Sequence, residues 1–208
     1  MKKNVDIIGG GCSGFSLAKS LRNFKSLRIK IYDNNHNHEH YWGFWNFNIV
    51  KDAFNLSEKN WNKWKIISPD KEKTFFSSKH AYCALMRNRW INYCKKLCKD
   101  AKVSIINKRI TENDNRLYLG KKEIAGDMIF DSRQPKNEKN VMLQHFYGLT
   151  VVSNRKVFDD STAILMDFRC DQSKGIHFIY MLPFSKTKAL VESTLFSKHI
   201  QKNSYYLN

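Results

Sequence analysis

The chain has 208 residues, 42% of them apolar and 26% charged, enough to bury a core in one or two domains and too apolar for a disordered tail. Lys and Arg total 36 against 19 Asp and Glu, a net charge of +17 that would attract phosphates or anionic lipid headgroups within a Debye length. Part of that excess is a coding bias, because Lys outnumbers Arg 27 to 9 and Asn is abundant, as an AT-rich genome would produce.

Val5 to Ile8 is a short apolar run leading into glycines, and Phe15, Leu17, Ala18 and Leu21 then recur at helical spacing. Leu27, Ile29 and Ile31 alternate with Arg28 and Lys30 and end at Tyr32 and Asp33, so the opening reads as a βαβ unit. Residues 41 to 80 read as irregular, whereas Ala84 through Cys98 fit one long amphipathic helix. Val103 to Ile106 reads as a strand, Leu117 to Leu119 and Glu123 to Ala125 as a small hairpin, and Met128 to Phe130 as a buried-type strand ending at Asp131. From Gln144 on, strand-like stretches follow at Phe146 to Val152, Ala163 to Phe168, Ile176 to Leu182 and Ala189 to Phe196, suggesting an antiparallel sheet. Pro183 is expected in a hairpin turn between the last two, since proline cannot serve a central strand. The predicted class is α/β, with a Rossmann-like domain over 1–140 and antiparallel strands over 141–208.

No run of eighteen apolar residues encodes a membrane-crossing helix, and Asp6 with Gly9, Gly10 and Gly11 interrupts any apolar secretory stretch. The cysteines, Cys12, Cys83, Cys94, Cys98 and Cys170, are odd in number with no CxxC pair, which argues against a disulfide framework or zinc ribbon and fits a reducing cytoplasm. Cys94 and Cys98 share a helical face but have no His or Cys partner at ligand spacing, so no metal is expected.

Gly9, Gly11 and Gly14 form GxGxxG between strand and helix, where missing side chains let the backbone approach a pyrophosphate. Asp33 follows about 20 residues on, placed to accept hydrogen bonds from a ribose. Together they suggest a bound dinucleotide, FAD or NAD, against the plainer reading of a glycine turn that packs helix on strand. Tyr41, Trp42, Phe44 and Trp45 crowd around Gly43; a structural cluster is the plainer reading, and ring faces that stabilise a cation are the functional one. Glu192 interrupts the apolar run 189–195, where burial would raise its pKa and suit it to general acid work, against an ion pair or solvent-facing position. Asp131 with Arg133, and Asp167 with Arg169, are i,i+2 pairs on strands that spacing alone reads as salt bridges.

The segments DIIGGGCSGFSLA, HYWGFW, FDSRQP, QHFYG, ILMDFR and FIYMLPFSKTKALVESTLFS, in this order, resemble those of bacterial and plant lycopene cyclases over nearly the whole chain. The resemblance implies a flavin monooxygenase-like fold, reduced FAD as cofactor with NAD(P)H as external reductant, and lycopene and related linear carotenoids as substrates. It implies proton-initiated cyclisation of lycopene ends to beta-rings without net redox change. Glu192 matches the family's functional glutamate and becomes the expected acid or cation stabiliser. Asp167 is expected as a second catalytic residue, and Asp131 and Arg133, with the glycines and Asp33, at the flavin. A substrate this apolar implies collection from a bilayer, so the expected location is cytoplasmic and peripheral on the inner face of the cell membrane. Family members continue further, and a later segment completes flavin site and fold, so a missing C-terminal segment is expected to be a partner. Gln134 and Gly43 are smaller departures from the family pattern.

Beside an inactive cyclase fragment, two competing classes remain. A flavin monooxygenase of similar fold would consume oxygen. A basic RNA- or membrane-binding module would cluster its charges on one face, whereas here they are scattered, which argues against nucleic acid as a partner.

Overall fold

The computed structural model describes residues 1–34, 39–133 and 141–206; Gln134 and Pro135 of the FDSRQP segment lie outside them. The opening apolar run forms β1 (Lys3–Ile8), the helical spacing gives α1 (Cys12–Leu21), and the alternating residues give β2 (Leu27–Tyr32). The stretch read as irregular is instead built of short elements: β3 (Tyr41–Trp45), α2 (Lys51–Asn55), β4 (Lys59–Trp61), β5 (Lys63–Ile67) and β6 (Glu72–Phe76). Strands of three to five residues are too short to show a period, and distant pairing rather than local propensity holds them. β7 (Tyr82–Met86) takes Ala84 and Leu85 from the expected helix, and α3 (Arg87–Asp100) begins only after it. Then come β8 (Ser104–Ile106), β9 (Thr111–Asn113), β10 (Arg116–Leu119), β11 (Lys122–Glu123) and β12 (Met128–Asp131). Four long elements close the chain: β13 (Leu143–Val152), β14 (Thr162–Asp167), β15 (Ile176–Ser185) and β16 (Lys188–Ser197), followed by a 3-10 turn at Asn203–Tyr206.

The chain divides into two compact units, Met1–Tyr41 with Met86–Lys136, and Trp42–Leu85 with Asn137–Asn208. The second unit therefore draws on residues 42–85, which a single boundary at 140/141 assigns to the first. The reason is that β5 pairs in parallel with β14 and so belongs to the late sheet.

The first unit is a parallel sheet in the order β12-β1-β2-β8. Val5, Ile7 and Ile31 on its central strands and Phe15 and Ala18 on α1 are fully buried, the strand–helix core that a βαβ unit requires. α3 packs on α1, and its Trp90 indole N–H donates to Ser16 Oγ at 3.0 Å. Cys94 and Cys98 lie wholly buried on that helix, as core residues. β12 differs from the buried strand expected: bonded to β1 at the sheet edge, it leaves Ile129 and Phe130 about 40% exposed.

The second unit holds a six-stranded sheet, β13-β16-β15-β14-β5-β6, and a three-stranded sheet, β3-β7-β4. The six-stranded sheet is antiparallel except where β5 runs parallel to β14. Pro183 lies inside β15, a central strand, and not in the turn, which falls at Lys186 and Thr187. The register shifts between Pro183 and Ser185, so the missing N–H sits beside an irregularity that tolerates it. Its carbonyl is used as well, accepting the Trp61 indole N–H at 3.2 Å.

Candidate functional site

In the first unit the sequence turns from β1 into α1 through three glycines with different physical duties. Gly9 has φ +99°, a conformation that side chains rarely adopt. A Cβ on Gly14 would stand 1.9 Å from the Gly9 carbonyl oxygen, so only glycine lets the helix approach the strand this closely. A Cβ on Gly11 would meet nothing within 4 Å, so here the missing side chain keeps space open rather than permitting packing. Gly11 is also the N-cap of α1, whose first turn has no acidic residue and no side-chain cap. The N–H groups of a helix's first turn and the positive end of its dipole suit an anionic group.

The expected site residues of this unit converge on that loop from both sides of β1. Asp33, at the end of β2, is buried against it, for a Cβ on Gly10 would fall 2.2 Å from Asp33 Cγ. Its Oδ2 lies 3.5 Å from Lys95 Nζ of α3. Beyond the end of β12, Ser132 Oγ lies 3.0 Å from the Ile8 carbonyl oxygen and 2.9 Å from that of Gly9, bracing the turn. Sequence reasoning missed Ser132; its place between Asp131 and Arg133 at a strand end was the available signal. Asp131 and Arg133 form the salt bridge that their spacing suggests: Arg133 Nε donates to Oδ1 at 2.9 Å and Nη2 to Oδ2 at 2.6 Å. Arg133 Nη1 also donates to the Ile110 carbonyl at 3.3 Å, and the guanidinium holds the Asp131 carboxyl below its usual range. An open glycine cradle, a helix N-terminus and a carboxylate at the end of the next strand are the donor set that a dinucleotide requires, so these residues fit FAD.

In the second unit Glu192 stands in mid-β16, directly across from Tyr180 on β15 and Gly148 on β13. Thr194 Oγ1 donates to Glu192 Oε1 at 2.9 Å, as alternation along the strand predicts. Burial pushes the Glu192 carboxyl above its ordinary range, and the Thr194 bond pulls only partly the other way. Tyr180 Oη donates to Tyr82 Oη at 2.8 Å, and burial raises both phenols further from ionisation. Trp45 meets Tyr82 edge-on at 4.9 Å and Trp64 at 4.7 Å, and Trp64 stacks on Phe75 at 6.0 Å. The register sets Trp64, Phe75, Tyr180 and Glu192 on one face of the large sheet, with Trp45 and Tyr82 of the small sheet against it. Gly43 is part of the fit: a Cβ there would be 2.0 Å from Tyr82 Oη and 2.7 Å from Tyr180 Oη. The sequence reading had Trp45 and Glu192 but missed Tyr82, Tyr180 and Trp64, which only strand pairing brings together.

Asp167 is not part of this cluster. It pairs in register with Ile179, the neighbour of Tyr180, and so faces the opposite side of the sheet from Glu192. There Arg169 Nε and Nη2 bind its two carboxylate oxygens at 2.9 and 2.7 Å, which lowers its pKa. The arrangement repeats that of Asp131 and Arg133, down to a backbone N–H two residues on donating to Oδ1.

A parallel nucleotide-binding sheet with a glycine cradle, and a second unit with a large, mostly antiparallel sheet, define the flavin-dependent monooxygenase type of fold. The halogenase Xcc4156 of Xanthomonas campestris, described as flavin-dependent, superimposes with a TM-score of 0.71 at 11% identity, over 98% of this chain and 58% of its own. The tryptophan 6-halogenase SttH of Streptomyces toxytricini does so with a TM-score of 0.68 at 9% identity, over 99% of this chain and 60% of its own. Within this fold class the sequence is specific: the family described as lycopene cyclase protein matches residues 4–204, and the chain belongs to that family. A lycopene beta-cyclase of Paracoccus sp. (strain N81106 / MBIC 01143) is 34% identical over 76 residues, 36% of this chain and 19% of that protein. The chain thus spans about 60% of the length of those solved structures, and its match covers a fifth of that cyclase.

Proposed function

We propose that the chain carries the flavin-binding and substrate-facing parts of a lycopene beta-cyclase, which closes the linear ends of lycopene and related carotenoids into beta-rings without net redox change. The observation that supports it most is Glu192: a carboxyl raised by burial, set on a face lined by Tyr180, Tyr82, Trp45 and Trp64. Gly9, Gly11, Gly14, the α1 N-terminus and Asp33 would hold FAD, with Ser132, Asp131 and Arg133 fixing the shape of the loop. FAD bound in reduced form would supply electron density that favours a cationic intermediate, with NAD(P)H as the external reductant.

In this reading Glu192, whose pKa burial raises, gives its proton to a terminal carbon–carbon double bond of the substrate. The tertiary cation so formed is attacked by the neighbouring double bond, closing a six-membered ring, and return of a ring proton to the Glu192 carboxylate completes an isomerisation. The aromatic faces exclude water, which would otherwise trap the cation as an alcohol, and stabilise positive charge through their π-electrons. Asp167, on the other face and bound by Arg169, holds strand geometry in this scheme rather than meeting substrate.

The test is expression in a lycopene-accumulating bacterium with pigment chromatography, using this chain alone and joined to the C-terminal segment of a related cyclase. Beta-carotene in either culture supports the reading, and its loss in Glu192→Gln with flavin retained supports the assigned acid. A second reading, a flavin monooxygenase, is favoured by the fold likeness alone; oxygen uptake coupled to NAD(P)H oxidation without ring formation would establish it instead.

A further inference from the structure

We infer that one end of the six-stranded sheet, formed by residues 151–157 and the turn between β15 and β16, docks on an anionic lipid bilayer. Val152 and Val157 are 73% and 59% exposed there, with Val151 beside them, making an apolar tip at the end of the sheet. Arg155, Lys156 and Lys186 stand exposed around it. Backbone bonds tie the tip to the turn: Ser153 N–H donates to the Thr187 carbonyl at 2.8 Å, and Val157 and Phe158 N–H to that of Lys186 at 2.9 and 3.1 Å.

Charge decides what covers this surface. Of the acidic residues nearby, Glu58 pairs with Lys188 at 3.4 Å and Asp160 with Lys59 at 3.5 Å, while Asp159, bound by Ser161 Oγ at 2.6 Å, keeps its charge, so three cations stand against one anion at the tip. Arg155, Lys156 and Lys186 pair with no carboxylate among the described residues, so their charge faces outward. Exposed valines ringed by cations match a headgroup layer over hydrocarbon, where the side chains enter the acyl boundary and the cations meet phosphate. A polyanion such as RNA would use the cations and leave the valines idle. The inference rests on the proposed function only for its purpose, since an apolar carotenoid is supplied from a bilayer; its test needs neither substrate nor flavin.

Co-sedimentation of the purified chain is measured with vesicles of phosphatidylcholine alone and of phosphatidylcholine with phosphatidylglycerol. Binding to the anionic vesicles is expected to fall at least about tenfold in Val152→Asp/Val157→Asp, and about 100-fold in Arg155→Glu/Lys156→Glu/Lys186→Glu. The control Lys71→Glu/Lys73→Glu/Lys79→Glu makes the same charge change elsewhere and is expected to lose much less. Because a variant could misfold, Val157→Trp in the otherwise unchanged chain gives a second measurement: its fluorescence is expected to be quenched by brominated lipids. No binding to anionic vesicles, equal loss in the control, indifference to the valine changes, or absent quenching would each overturn the inference. Valine variants that alter self-association, or a tip that binds homopolymer RNA and not vesicles, would overturn it too. Glu192→Gln is expected to bind vesicles normally, so failure of the cyclase reading and failure of this one are separable.

Discussion

Tyr180 and Glu192 face each other across neighbouring strands, yet the Tyr180 hydroxyl donates to Tyr82 at 2.8 Å and leaves Thr194 as the donor to the carboxylate. The carboxyl therefore keeps a raised pKa, because one neutral hydroxyl does not replace the water lost on burial.

That shift has a sign that unfolding can read. A carboxyl whose pKa is higher folded than unfolded holds its proton more tightly in the native state, so stability falls as pH rises from 4.5 through the folded pKa. Glu192→Gln is expected to flatten this part of the pH profile and to be neutral or stabilising near pH 7. Urea midpoints between pH 4 and 8 check it; a variant strongly destabilised near pH 7 would show that the carboxylate is paired and not strained.

The glycines of the first unit should separate fold from ligand. Gly14→Ala puts a Cβ 1.9 Å from a backbone oxygen and is expected to cost about 3 kcal/mol, read as a lowered melting temperature. The Cβ of Gly11→Val meets nothing within 4 Å, so the melting temperature should fall far less than in Gly14→Ala while FAD affinity, titrated by flavin fluorescence, falls at least about tenfold. Equal FAD binding in Gly11→Val would remove the cradle assignment.

Gly43 should be locked by the tyrosine pair. Gly43→Ala would force the Tyr82 hydroxyl from 2.0 Å and is expected to destabilise by about 1–3 kcal/mol. Tyr82→Phe removes that oxygen, so the double variant should recover part of the loss, and a double-mutant cycle measures the coupling. Strict additivity would place the clash elsewhere.

On the other face of the large sheet, His145 faces Tyr206 through Nδ1, and its Nε2 lies 3.0 Å from Ser197 Oγ. Burial lowers the His145 pKa from 6.5, so its neutral form contributes stability that is present above pH 6.5 and lost as pH falls through the folded value. An NMR titration of His145 is expected to show a midpoint below 6.5, and the urea midpoint should drop less on acidification in His145→Gln. A midpoint above 6.5 would reverse the sign.

Much of this was written locally. GxGxxG, the alternation of β2 and the helical spacing of α1 are short-range patterns, so the opening βαβ unit could be read from the first 33 residues. Glu192 stood out because a carboxylate in an apolar strand has few inexpensive explanations, and both Asp–Arg pairs followed from a period of two. What only the tertiary structure decided is what depends on non-local pairing. Residues 59–76 became strands because β5 pairs with β14, and β7 captured residues with helical spacing. Pro183 sits in a central strand because an irregularity beside it absorbs the missing donor. Glu192 joined Tyr180, Tyr82 and Trp64 while Asp167 was turned to the far face because register assigns sides, and no local pattern encodes which strands will be neighbours.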